Sequence, residues 1–100
     1  MNKAKRKQLT QIIEELKKTS GTKKEIEYLI MKIEDVLYEE QYDYNNLSEG
    51  FKAASRGVAM DDAIDEMDDA CRSLKRAIKQ PDKAKNEIEY AIKCLLCAQM

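Results

Sequence analysis

The carboxylates are the residues of this sequence whose spacing could most readily support a chemical function. The densest run is Asp61-Asp62-Ala63-Ile64-Asp65-Glu66-Met67-Asp68-Asp69. Acids that recur every three or four residues share one side of a helix, and such pairs on two helices can hold Mg²⁺ beside a phosphate substrate. A small helical nucleotide pyrophosphohydrolase would work in this way. Its carboxylates would come from Glu39, Glu40 and Asp43 in the first half of the chain and from Asp62, Asp65 and Asp69 in the second.

Apolar residues within the same run favour a structural interpretation. They recur at the spacing of a buried helical stripe, as Met60, Ala63, Ile64, Met67 and Ala70. The acids occupy the other side of the helix, which faces water in an amphipathic helix. We therefore predict a non-enzymatic protein with no catalytic residues and no cofactor. The Mg²⁺-dependent hydrolase is the alternative.

The sequence contains three cysteines and no histidine, so sites that need an imidazole group are excluded and those that need thiols are few. Without histidine, the usual catalytic triads, histidine zinc motifs and Glu-x-x-His di-iron sites are absent. Cys94 and Cys97 have the C-x-x-C spacing of a redox or zinc site, but no second pair accompanies them. We predict that they are reduced, pack as small hydrophobic residues and bind no metal. Zinc bridging across a dimer is the alternative.

Charge is strongly segregated along the chain, although the net charge is only −1. Residues 31–70 contain 12 acids and 3 bases, a net charge of −9, and the rest contains 7 acids and 15 bases, a net charge of +8. Tyrosines interleave with the acids. An acidic, aromatic surface suits a basic protein groove, and packing against a second copy is the alternative. The predicted partner-binding residues are Tyr38, Glu39, Glu40, Tyr42, Asp43, Tyr44, Asp61, Asp62, Asp65 and Asp69.

The elements that position these residues are helices, because apolar residues recur at helical spacing and no segment alternates as a strand would. We predict an all-α fold, a long kinked antiparallel hairpin with arms at about 2–44 and 57–99 and breaks near 19–22 and 80–82. Thr22 and Glu25 would form a capping box. Phe51 would plug the loop end, and in a hairpin Gly21 lies opposite Pro81.

Extended arms would reach roughly 65 Å, with their acidic stretches at the loop end and their basic stretches toward the breaks and termini. Such arms bury only one stripe each, so we predict self-association into a bundle or a bound partner. A self-assembling structural protein is a further alternative. The length of 100 residues fits one domain, 1–100.

No segment has the length or apolar character of a membrane span or a secretory signal, so we expect a cytoplasmic protein. Basic clusters occur at Lys3 to Lys7 and at Arg72 to Lys79, without an aromatic stacking platform or a recognition-helix motif. The sequence pI is about 5.6. We therefore predict no direct binding to nucleic acid and no membrane association.

Four segments carry a resemblance to a known group of proteins: Met1 to Leu9, Ile12 to Leu16, Tyr38 to Gly50 and Ser55 to Asp65. They resemble small helical proteins encoded by prophages and integrative elements of Gram-positive bacteria, whereas the tail after Pro81 departs from the pattern. The resemblance implies an accessory protein in the cytoplasm of a bacterial host that binds and modulates a host protein. Anti-defence inhibitors of the anti-CRISPR-like or DNA-mimic kind belong to the functions it implies.

Overall fold

The fold is known from a computed structural model that describes all residues from Met1 to Met100. It contains helices and no strands, which confirms the all-α class. The helices are α1 (Lys3–Lys18), α2 (Lys23–Asn45), α3 (Glu49–Ala53), α4 (Ser55–Lys79) and α5 (Ala84–Ala98), and a 3₁₀ turn (Pro81–Lys83) precedes α5. Both predicted breaks are present, between α1 and α2 and between α4 and α5. No helix combines the length and the apolar character needed to cross a membrane.

The four long helices form an antiparallel bundle. The central hairpin consists of α2 and α4, α1 packs against α2 and α5, and α5 also packs against α4. The sequence left open whether the terminal segments fold back on the hairpin, and they do. The molecule therefore measures 45 × 21 × 18 Å and is shorter than two extended arms would be. Folding back lets α1 and α5 bury their own apolar stripes within the same chain.

The core draws on all four long helices. Leu9, Ile33, Met67, Leu74 and Leu95 have 0% of their surface exposed. Because α1 and α5 cover the stripes of α2 and α4, the long helices bury their apolar sides without a second chain. The oligomer expected for extended arms remains a prediction.

The two turns lie side by side at one end of the bundle, where Gly21 and Pro81 line the same cavity of about 610 Å³. Gly21 has a φ of +82°, which favours glycine. Thr22 caps α2 by accepting the backbone N–H of Glu25 at 3.3 Å. Glu25 does not complete the predicted box, because its carboxylate accepts the Thr19 hydroxyl and the Ser20 backbone N–H instead. These hydrogen bonds lower the pKa of Glu25 below its usual 4.5.

The loop end differs from the prediction for Phe51. This side chain is 68% exposed and does not plug the bundle, because the short helix α3 turns it outward. Ser48 caps α3 by accepting the Phe51 backbone N–H at 3.4 Å. No residue of α3 is buried, so this helix contributes little to the core.

Glycine at position 57 is required for α3 to approach the start of α4. A Cβ added there would lie 2.4 Å from the Phe51 carbonyl oxygen and 2.5 Å from that of Lys52. We expect Gly57→Ala to displace α3 while lowering the free energy of unfolding by no more than about 1 kcal/mol, since α3 buries no residue. Amide hydrogen exchange should show faster exchange in residues 49–53.

Gly50→Ala is the matched control, because a Cβ at position 50 meets nothing within 4 Å. It should leave exchange in α3 unchanged or slower, since alanine favours helix more than glycine does. Equal exchange rates in α3 for the two variants would contradict the role assigned to Gly57.

Candidate protein-interaction surface

The most exposed apolar surface of a long helix lies on α2. Tyr28, Met31, Tyr38 and Tyr42 are 48%, 56%, 59% and 69% exposed. With Asp35 they follow steps of three and four residues, so they share the side of α2 opposite the core. We call these five residues the outer α2 face. Their exposed area is on the order of 500 Å², within the range of the largest patch on a typical monomer, which is often a functional surface.

Carboxylates border the outer α2 face around Tyr38, whereas the Lys32 ammonium lies 4.9 Å from the ring centre of Tyr28 at the other end. Asp35 and Glu39 are exposed and form no ion pair within the chain. Glu34 has two partners within the chain. The Lys75 ammonium lies 3.7 Å from its carboxylate, and the Tyr38 hydroxyl donates a hydrogen bond to it at 3.5 Å. The face therefore combines aromatic area with acidic groups that have no internal partner.

Glu40, which the sequence predicts as a partner-binding residue, is not part of this surface in the free chain. It is 1% exposed, and the Lys5 ammonium lies 3.0 Å from one of its carboxylate oxygens. The Met1 α-ammonium lies 3.2 Å from the other. Lys5 also donates to Asp43. Burial lowers the pKa of Lys5, but its bonds to Asp43 and Glu40 outweigh that effect and raise the pKa above 10.5.

Because of the same contacts, the charge distribution of the folded chain differs from the predicted one. Because α1 folds back on α2, the basic residues near the N-terminus lie beside Glu40 and Asp43 rather than at the opposite end. The acidic end is therefore partly neutralised. Lysines around the two turns, such as Lys85 beside Gly21, keep the other end basic.

The remaining predicted site residues lie in separate places. Asp61, Asp62 and Asp65 are exposed on the outer side of α4. Asp69 is half-buried near α5, where the neighbouring Cys94 and, to a smaller extent, the charge of Asp69 raise the pKa of Tyr90. Tyr44 is half-buried, with the Lys52 ammonium 5.4 Å from its ring centre. The predicted residues therefore do not form one surface: Tyr38, Glu39, Tyr42 and Asp43 belong together on α2.

Two signals for this surface lay outside the predicted set. Tyr28 and Met31 continue the helical spacing of Tyr38 and Tyr42 toward the start of α2, and they fall off the buried stripe. This off-stripe spacing is the sequence signal that points to them.

The carboxylates do not adopt the arrangement that the hydrolase alternative requires. No group of three or more His, Cys, Asp or Glu side chains lies close enough together to hold a metal ion. Glu40 faces Lys5, and the α4 acids Asp62 and Asp65 face water, so acids of α2 and α4 do not meet inside the bundle.

The cysteines divide into two buried thiols and one exposed thiol. Burial raises the pKa of Cys71 to about 12 and that of Cys94 to about 11, whereas Cys97 is exposed. We therefore expect one thiol to react rapidly with a disulfide reagent in the folded protein and all three to react after denaturation. Cys97→Ser should remove the rapid reaction. A second rapidly reacting thiol in the folded protein would contradict the placement of Cys71 and Cys94.

Comparison of the chain with protein-family models, with curated proteins and with solved structures finds no match. The resemblance to proteins of mobile elements therefore remains a prediction.

Proposed function

We propose that this chain is a non-enzymatic interaction protein that binds a basic protein surface through the outer α2 face. The observation that carries the proposal is the exposure of four large side chains, Tyr28, Met31, Tyr38 and Tyr42, on the side of α2 opposite the core. In the free protein this apolar area contacts water. A partner that covered it would gain hydrophobic stabilisation.

Residue type and charge support a protein partner with a basic surface. Tyrosine and methionine are enriched at interfaces, where tyrosine supplies contact area at a low cost in conformational entropy. Asp35 and Glu39 form no ion pair within the chain, so a basic partner would neutralise them and would be steered toward α2. The same carboxylates would repel the phosphates of a nucleic acid. The sequence resemblance adds the proposal that this partner belongs to a bacterial host, whose activity the binding modulates in the cytoplasm.

Affinity capture from a bacterial lysate with a face variant, Tyr38→Ala/Tyr42→Ala, tests the proposal. The wild-type chain should retain a stoichiometric partner with a basic surface that elutes as salt is raised. The face variant should lose that partner while unfolding at the same urea concentration, because both tyrosines are exposed.

Tyr90→Ala/Leu96→Ala is the matched control, since these α5 residues are 47% and 48% exposed and lie away from α2. It should retain the partner. Equal capture by the wild type and the face variant, or capture of no partner, would count against the proposal. A stable oligomer of the free chain that Tyr38→Ala/Tyr42→Ala dissociates would identify a second copy as the occupant instead.

A further inference from the structure

A groove runs along the seam between α1 and α2, beside the outer α2 face. It consists of two adjoining cavities of about 530 Å³ and 490 Å³, and Tyr38 and Glu39 line both of them. Gln8, Gln11 and Asn2 contribute to its α1 side. We call this recess the α1–α2 groove. Its shared lining makes it one elongated feature rather than two separate pits.

The α2 side of the groove carries a regular row of carboxylates. Asp35, Glu39 and Asp43 line it at intervals of four residues, and therefore about 6 Å apart along the helix. Asp35 and Glu39 have no ion pair, and Asp43 remains 52% exposed although it accepts a hydrogen bond from Lys5. Two cations also line the groove, and both are paired within the chain: Lys5 with Glu40 and Asp43, and Lys32 with Glu15, 3.5 Å away. Asp35 and Glu39 are therefore the carboxylates of the row that form no ion pair.

We propose that the α1–α2 groove binds a single amphipathic helix of the partner, with lysine or arginine at positions i, i+4 and i+8 opposite the row. The inference rests on the proposed function and specifies the element that is recognised. An α-helix repeats basic groups at the 6 Å spacing of the row, whereas an extended strand places same-side residues about 7 Å apart. Apolar residues next to the basic ones would cover Tyr38 and Tyr42, as in helix-in-groove recognition.

The length of the outer α2 face sets the size of the bound helix. From Tyr28 to Tyr42 the face spans about 21 Å, which corresponds to roughly four turns of a partner helix. A helix of this length can reach the carboxylate row and the exposed tyrosines at the same time. The row and the tyrosines Tyr38 and Tyr42 lie on adjacent sides of α2 and border the same groove.

The probe for this inference is a synthetic amphipathic helical peptide of about 16 residues. It carries lysine at i, i+4 and i+8 beside a leucine stripe, and its binding is followed by fluorescence anisotropy. A peptide of the same composition with the lysines out of register should bind at least about tenfold more weakly. Asp35→Asn/Glu39→Gln should weaken binding of the in-register peptide by about tenfold.

Asp61→Asn/Asp62→Asn, which removes the same charge from the outer side of α4, is the matched control and should leave the Kd nearly unchanged. Equal losses for the two charge variants, or equal binding of both peptides, would overturn the groove assignment.

If neither peptide binds while capture of a partner still depends on Tyr38 and Tyr42, the helix inference fails and the proposed function stands. If the in-register peptide binds equally well to Tyr38→Ala/Tyr42→Ala, the helix inference is overturned because the peptide does not cover the tyrosines. A different result would contradict the proposed function, namely capture of a partner that does not depend on Tyr38 and Tyr42.

Discussion

Replacing Lys5 by methionine is expected to lower the free energy of unfolding by about 3 kcal/mol. The Glu40 carboxylate is 1% exposed, and the Lys5 ammonium is 3.0 Å from it. Without Lys5 this buried charge keeps only the Met1 α-ammonium, at 3.2 Å. The cost of an uncompensated buried carboxylate exceeds what the added methionine surface gains by burial. Urea denaturation followed by helical circular dichroism measures the change.

The double variant Lys5→Met/Glu40→Leu should recover most of the lost stability, because it removes both charges and leaves apolar groups in their place. Lys7→Met is the control, since Lys7 is exposed, and it should change the free energy of unfolding by less than about 0.5 kcal/mol. A Lys5→Met variant as stable as Lys7→Met would contradict the buried ion pair, as would a double variant less stable than Lys5→Met.

The ion pair also predicts the sign of a pH dependence. The pKa of Lys5 is raised above its usual 10.5 in the folded chain, so protonated Lys5 stabilises the fold. Its contribution is complete below pH 10.5 and is lost as the pH rises through the folded value. Wild type should therefore lose more stability than Lys5→Met above pH 10.5.

Leu74→Ala is expected to lower the free energy of unfolding by about 3 kcal/mol, through the lost transfer energy and the cavity that remains. Leu74 is 0% exposed and belongs to the core shared by the long helices. Leu96→Ala is the control, because Leu96 is 48% exposed, and it should cost less than about 1 kcal/mol. Urea denaturation measures both. Similar losses for the two variants would contradict the helix orientations in the structure, because similar losses would mean that both leucines lie in equivalent environments.

The sequence was sufficient to predict the four long helices and the breaks between them because the signals are local, whereas the short helix α3 lies in the predicted loop. Ile26, Leu29, Ile30 and Ile33 recur at helical spacing, and Pro81 removes the backbone N–H that would continue α4. Part of the interaction surface followed from the same rule, because Tyr38 and Tyr42 fall off the buried stripe. Each of these inferences needs only residues within a few turns of one another.

The remaining features depend on contacts between distant parts of the chain. Lys5 and Glu40 are 35 residues apart, so nothing near Glu40 in the sequence shows that a cation covers it. Helical spacing also does not specify whether a break kinks or reverses the chain, so the position of α1 beside α2 could not be predicted. The charge distribution differs from the predicted one for the same reason. The chain reverses at Gly21, and this reversal brings Lys5 to the acidic end.

The most direct test of the outer α2 face is a comparison of backbone amide chemical shifts of the labelled chain, alone and with the captured partner. The proposed function predicts the largest shifts at residues 28–43 of α2, with smaller ones on the side of α1 near Gln8 and Gln11. Amides of α4 and α5 that face away from α2 should change little. Shifts concentrated around Asp61 to Asp69, or around the two turns, would contradict the assignment of the outer α2 face, because the partner would then be bound elsewhere.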